Sequence, residues 1–184
     1  MKRTLAFLIA LLAGCYPDQS NPDLTPVKVY LSTTLLTSEQ GFVRAELPFL
    51  GALGPRFIET TDRATADVVV TSWQSPDCSR IAGEAEVGGR IARIDFTCAA
   101  GEDAAMAFVG HEIGHALGML HICRYGENAP GCSPTVYLWN TTQPAMMSPS
   151  PLAEAEGVIG TIGVTHPQRE DLQEWTRVHP SGGL

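Results

Sequence analysis

The chain has 184 residues, 44% of them hydrophobic and 17% charged, with 12 basic against 20 acidic side chains and a net charge of −8. That length suits one globular domain, and the apolar content excludes a mostly disordered chain. An acidic surface offers no general attraction to phosphate backbones, so nucleic acid is excluded as an electrostatic partner.

Met1-Lys2-Arg3 is a basic start, followed by an apolar run over residues 4–13. A bilayer-spanning helix needs about 20 apolar residues, so this run is too short to span and fits a secretory signal. Leu12-Ala13-Gly14-Cys15 resembles the bacterial lipoprotein signal. The resemblance implies removal of residues 1–14, diacylglycerol on the Cys15 sulfur and acylation of its new amino group. Several acyl chains anchor firmly where one holds only marginally. Loss of Lys2 and Arg3 brings the charge of the mature chain to −10. Tyr16, where Asp would retain a lipoprotein at the inner membrane, implies an exported protein lipid-anchored in the cell envelope, at the outer membrane. Residues 15–26 carry Pro17, Pro22 and Pro26 and read as a semi-extended tether ahead of a domain over residues 27–184.

Residues 27–31 alternate and are β-rich, which predicts a first strand. Residues 39–53 place Phe42, Val43, Leu47 and Leu50 near helical spacing, with Pro48 weakening the helix and Gly51 and Gly54 marking its end. A short strand is expected over 57–60. The run DVVVTSW over 67–73 reads as a strand buried on both faces. Strand, helix, strand, strand implies a largely parallel sheet under helical cover.

Residues 81–87 and 90–97 alternate on either side of Gly88-Gly89, a hairpin whose Glu84- and Glu86-bearing half suits a solvent-facing edge. Centring the turn on Gly88 pairs residues whose numbers sum to 176, which makes Cys78 and Cys98 cross-strand neighbours. Cys123 and Cys132 would then close a short loop. Four cysteines allow three pairings, of which this is the preferred one. Export favours disulfides over thiols, and no Cys-x-x-Cys pair supports a zinc site made of cysteines.

The chemistry is concentrated in His111-Glu112-Ile113-Gly114-His115-Ala116-Leu117-Gly118-Met119-Leu120-His121. Asp103 can cap a helix whose core stripe is Met106, Val109, Ile113 and Leu117. His111 and His115 lie one turn apart, so both imidazoles reach one ion. His121 on a continued helix would lie about 9 Å further along the axis than His115. Glycine takes positive φ readily, so Gly118 can end the helix and let the chain double back. His121 then becomes a third ligand, and three protein ligands leave room for water, as in catalytic zinc sites. Glu112 adjoins the first ligand and can take the proton of zinc-bound water and pass it to a leaving amine.

This HExxHxxGxxH pattern resembles the metzincin clan of zinc endopeptidases. The resemblance implies an α/β (α+β) zincin fold: a mostly parallel, twisted five-stranded sheet with one antiparallel edge strand, an active-site helix and a C-terminal helix. It also implies a Met-turn under the metal. Ala145-Met146-Met147-Ser148-Pro149 fits that role, with Met147 as the floor and the spacing to Pro149 closest to matrixins. The closing helix is expected over 165–178, with Thr165 and Gln168 spaced as a capping box.

Several positions depart from the pattern. Ile122 replaces the small polar residue that matrixins place after the third histidine, and Pro149 stands where other metzincins carry a metal-binding tyrosine. Only His166 and His179 lie outside the motif, too few for a second, histidine-built zinc site. With only a tether ahead of the first strand, no Cys-switch propeptide is expected. Tyr137, Leu138 and Trp139 suit a specificity pocket and the core equally. Residues 153–163 read as a loop.

The sequence therefore points to a zinc metalloendopeptidase with one catalytic zinc ion on His111, His115 and His121, Glu112 as general base, and a protein or peptide as substrate. An extended substrate is expected to add to the edge over 81–87, where Glu84 and Glu86 favour basic or neutral side chains. The alternative is a catalytically silent surface lipoprotein that uses the same fold to bind protein or peptide.

Overall fold

Val27, Val29 and Leu31 are buried while Lys28 is exposed, the alternation of a strand with one face on a core. This strand, β1 (Val27–Leu31), opens a computed structural model that describes residues 20–78, 82–124, 130–138, 146–147, 167–181 and 184. The signal segment, Cys15, Ile81, Trp139, Pro149, the stretch 153–163, Thr165 and His166 lie outside the described residues, as do the side chains of Tyr137 and Leu138. Ahead of β1 the Asn21 N–H donates to the Gly54 carbonyl.

Helix α1 (Thr37–Leu50) starts two residues earlier than its apolar spacing suggests. Glu39 explains the difference: its carboxylate reaches back to accept the Leu36 N–H at 2.7 Å, so it belongs to the first turn. Pro48 sits in the last turn, and a 3₁₀ turn over Gly51–Leu53 completes the segment. Strands β2 (Phe57–Thr60) and β3 (Val68–Ser72) follow. Val68, Val69 and Val70 are all buried, as expected for a strand covered on both faces.

Strands β4 (Gly83–Ala85) and β5 (Ile91–Ile94) form the hairpin. Together the five strands make one sheet in the order β2-β1-β3-β5-β4, parallel throughout except for antiparallel β4 at the edge. The hairpin register differs from the symmetric one. Gly83 faces Ile94, Glu84 faces Arg93 and Ala85 faces Ala92, a slip of one residue. The turn is asymmetric because Gly88 and Arg90, not Gly88 and Gly89, take positive φ, at 74° and 67°. The Cys78–Cys98 disulfide forms all the same, because both cysteines lie beyond the ladder, with Cys98 at the end of a 3₁₀ turn (Phe96–Cys98).

Helix α2 (Glu102–Ala116) runs under the sheet against α1 and β5. Gly101, not Asp103, is its N-cap; Glu102 and Asp103 occupy the first turn, where carboxylates complement the helix dipole. From Val109 to Ala116 every residue is buried, so the helix is central and has no single core stripe. Met106, expected in that stripe, is only half-buried.

A second, two-stranded sheet was not legible in the sequence: β6 (His121–Arg124) pairs with β7 (Cys132–Leu138), cross-linked by Cys123–Cys132. The closing helix α3 spans Arg169–Val178, capped by Gln168 with Asp171, not by Thr165 with Gln168. Its Trp175 is fully buried and packs on Phe57, with ring centroids 6.2 Å apart. Among the described residues no helix is long and apolar enough to cross a membrane.

Candidate metal centre and active site

The end of α2 is a Schellman motif. Met119 N–H donates to the Gly114 carbonyl at 3.0 Å and Gly118 N–H to that of His115 at 2.9 Å, with Gly118 at φ 96°. Neighbouring elements add further donors, among them Arg90 N–H to the Ala116 carbonyl at 3.4 Å. Gly88 N–H reaches the His115 carbonyl at 2.8 Å, and His179 Nε2–H reaches that of Leu117 at 2.9 Å. The chain reverses here and enters β6, which carries His121 back to the helix.

His111, His115 and His121 converge, with ligand nitrogens all within 4.8 Å of one another. His115 and His121 approach most closely, Nε2 to Nε2, at 2.9 Å. Two of the three rings are oriented by backbone. His111 Nδ1 lies 2.8 Å from the Met146 carbonyl and His115 Nδ1 2.9 Å from that of Met119. A carbonyl can only accept, so each Nδ1 carries the proton and each Nε2 lone pair is left for an ion. All three rings are held neutral. Burial, aided by the neighbouring His115, pulls His111 down to about 3 and His121 to about 4, and burial also lowers His115. Neutral imidazoles with fixed tautomers are the donor set that zinc takes, so the residues fit that metal.

Glu112 is buried beside this cluster on the side facing β4, and its Oε2 has no hydrogen-bond partner among the described residues. Burial, with the charge of Glu84 added, pushes its carboxyl up to about 8. Glu84 itself is ion-paired to Arg93 across the hairpin at 2.9 Å, which offsets its pull on basic side chains.

Met147 lies beneath α2. A Cβ on Gly114 would collide with its Sδ, so the helix glycine makes room for this methionine. The Met147 carbonyl also accepts the Ile122 N–H at 2.8 Å, tying Met147 to the strand that bears His121. Met146, buried beside Met147, contributes the carbonyl that orients His111.

Two buried carboxylates on α3 were missed altogether. Asp171 accepts the N–H groups of Met146 and Met147, at 2.8 and 2.9 Å. Burial pushes its carboxyl up to about 6, against the pull of the Gln168, Met147 and Met146 donors. Glu174 accepts the Leu120 N–H at 3.0 Å and the Ser133 hydroxyl at 2.6 Å. Burial pushes Glu174 up, but Arg177 and these donors outweigh it and hold the carboxyl below its ordinary range. One helix thus pins both the Met146–Met147 backbone and the segment that leads into His121. The only sequence signal was two acids three apart on an amphipathic helix, which usually face solvent.

A second convergence, Cys78, Asp95 and Cys98, is chemically spent. Its sulfurs are joined in a disulfide, and Asp95 already accepts Ser75 N–H and both the N–H and hydroxyl of Thr97.

The sequence matches no protein-family model and no curated protein. Its fold does match solved structures. Two are of myroilysin, at 16% and 14% identity and TM-scores of 0.53 and 0.58, covering 89% and 92% of this chain and 87% and 84% of those chains. A third is high choriolytic enzyme 1, a hatching enzyme zinc-protease from the medaka Oryzias latipes. It is 13% identical with a TM-score of 0.51, covering 91% of this chain and 98% of that one. The likeness is one of fold.

Proposed function

We propose that the chain is a zinc-dependent endopeptidase, held at a bacterial cell envelope by lipid on Cys15. The observation that carries the activity is the convergence of three neutral imidazoles, two with their Nδ1 protons committed to backbone carbonyls, beside a buried glutamate. His111, His115 and His121 would hold one zinc ion. When bound, zinc supplies Lewis acidity that polarises a peptide carbonyl and acidifies water.

Glu112 takes the proton of the attacking water and delivers it to the leaving amine. Burial raises the proton affinity of this carboxyl, and the charge of a zinc ion held beside it would lower it again, which leaves a group able to accept a proton and then donate it. Strand β4 ends the sheet order with its outer edge unpaired in that sheet, so an extended peptide can add there antiparallel. A peptide so added would lay its scissile bond between the edge and the histidines. A fold shared with a zinc-protease supports the same reading.

The test is metal analysis joined to cleavage of a denatured protein. The wild type should bind one zinc per chain and cleave; Glu112→Ala should keep the zinc and lose cleavage by several orders of magnitude. Equal cleavage by both proteins would overturn the assignment of Glu112. For the anchor, palmitate labelling should be lost in Cys15→Ser, and unchanged labelling would remove it.

A further inference from the structure

Gly83 has no conformational reason to be glycine. The described glycines at positive φ are Gly54, Gly88, Gly101, Gly118 and Gly131, and Gly83 is not among them. It opens β4 and pairs with Ile94, where a glycine weakens a strand by removing cross-strand packing. What it does is approach. A Cβ built on Gly83 would lie 2.7 Å from Glu112 Cγ, 2.8 Å from Glu112 Oε1 and 2.9 Å from the Arg93 carbonyl oxygen. The first two distances involve one side chain, and that side chain is the general base.

We propose that Gly83 is a positioning residue that seats Glu112: its bare Cα is the wall against which the carboxylate rests, and it sets the depth of the base beneath the edge strand. The wall and the edge are the same three residues, because β4 is also the strand on which a peptide substrate would lie. A side chain at 83 meets both groups, and the Glu112 side chain is the one that gives way more readily, because the Arg93 carbonyl belongs to the sheet ladder. The effect on turnover rests on the endopeptidase reading; the contact between Gly83 and Glu112 does not.

A double-mutant cycle separates the two. Zinc-loaded wild type, Gly83→Ala, Glu112→Ala and the double variant are compared by urea unfolding midpoint, and the first two by kcat and KM on a peptide substrate. In the Glu112→Ala background the Cγ and carboxylate are gone, so Gly83→Ala should lower the midpoint by less than half of what it does beside Glu112. Gly83→Ala should also retain one zinc per chain and lose about 100-fold in kcat, the scale of an ångström's misplacement of a reacting group, with KM within about threefold. Equal midpoint shifts in both backgrounds, or an unchanged kcat, would overturn the proposal. Should Gly83→Ala fail to fold, a folded double variant upholds the seat, and failure of both overturns it by assigning the glycine to the Arg93 carbonyl alone. An inactive wild type would sink the endopeptidase reading while the midpoints still decide whether Gly83 seats Glu112.

Discussion

Asp171 accepts the backbone N–H of Met147 at 2.9 Å across 24 residues of sequence, and its other oxygen accepts that of Met146 at 2.8 Å. Met146 in turn accepts the Nδ1 proton of His111. A carboxylate on the last helix thus orients the His111 ring through the backbone of Met146.

Removing that carboxylate leaves buried N–H groups without partners, at about 1–3 kcal/mol each. Asp171→Ala is therefore expected to lower unfolding free energy by about 3 kcal/mol and to weaken zinc binding, read by urea denaturation and by competition with a chelator. Asp171→Asn keeps the shape and one acceptor oxygen and should cost less.

The same carboxyl makes stability depend on pH. Its pKa is about 6 in the folded chain against 3.8 as the ordinary value, so between those limits the native state binds more protons than the unfolded one. The contribution of Asp171 is fully present below about pH 4 and falls as pH rises to about 6. It is flat above, and two pKa units correspond to about 3 kcal/mol. Stability of the wild type minus that of Asp171→Asn, followed by urea from pH 4 to 8, should decline through that window and then level.

Gly118 stands at φ 96° with open space around an added Cβ, so the barrier to other residues is conformational and not steric. Gly118→Val should cost about 1–3 kcal/mol and loosen zinc, because a β-branched residue resists positive φ. Gly118→Asn, which tolerates that region, should retain most of both. Zinc dissociation constants of the two variants provide the comparison.

Gly114 presents the opposite case: an ordinary helical φ, but no space. Gly114→Ala gains up to about 1 kcal/mol of helix propensity and loses about 1–3 kcal/mol to overpacking against Met147. Net destabilisation is expected in thermal unfolding. It should shrink when Met147→Ala is added, since the two side chains would no longer compete for one volume.

The two disulfides should separate in their effects. Cys123–Cys132 closes a loop over nine residues of sequence, and Cys132 pairs in register with His121. The double serine variant is expected to lose about 3 kcal/mol of stability and at least tenfold in zinc affinity. Replacing Cys78 and Cys98 should cost comparable stability while leaving zinc affinity intact, because that bond braces the β4–β5 hairpin. Paired zinc titrations on oxidised protein distinguish them.

What could be read from the sequence is what short-range geometry dictates. Helix rise lets His111 and His115 reach one ion, Gly118 ends the helix, period-two apolar patterns mark β1 and the hairpin, and a continuous apolar run marks β3; each follows from the backbone geometry of a few neighbouring residues. The rest was settled by groups far apart in the chain. The hairpin slipped one residue because Arg90, not Gly89, took positive φ. Asp171 and Glu174 turned inward because the Met146–Met147 and Leu120 backbones supplied donors that no local pattern reveals. Gly83 is a glycine on account of a side chain 29 positions away (Glu112), a contact that exists only once the edge strand lies over the helix. Local hydrogen bonds have a fixed sequence span and so leave a periodic trace; packing and buried polar partners have none, and only the folded chain brings them together.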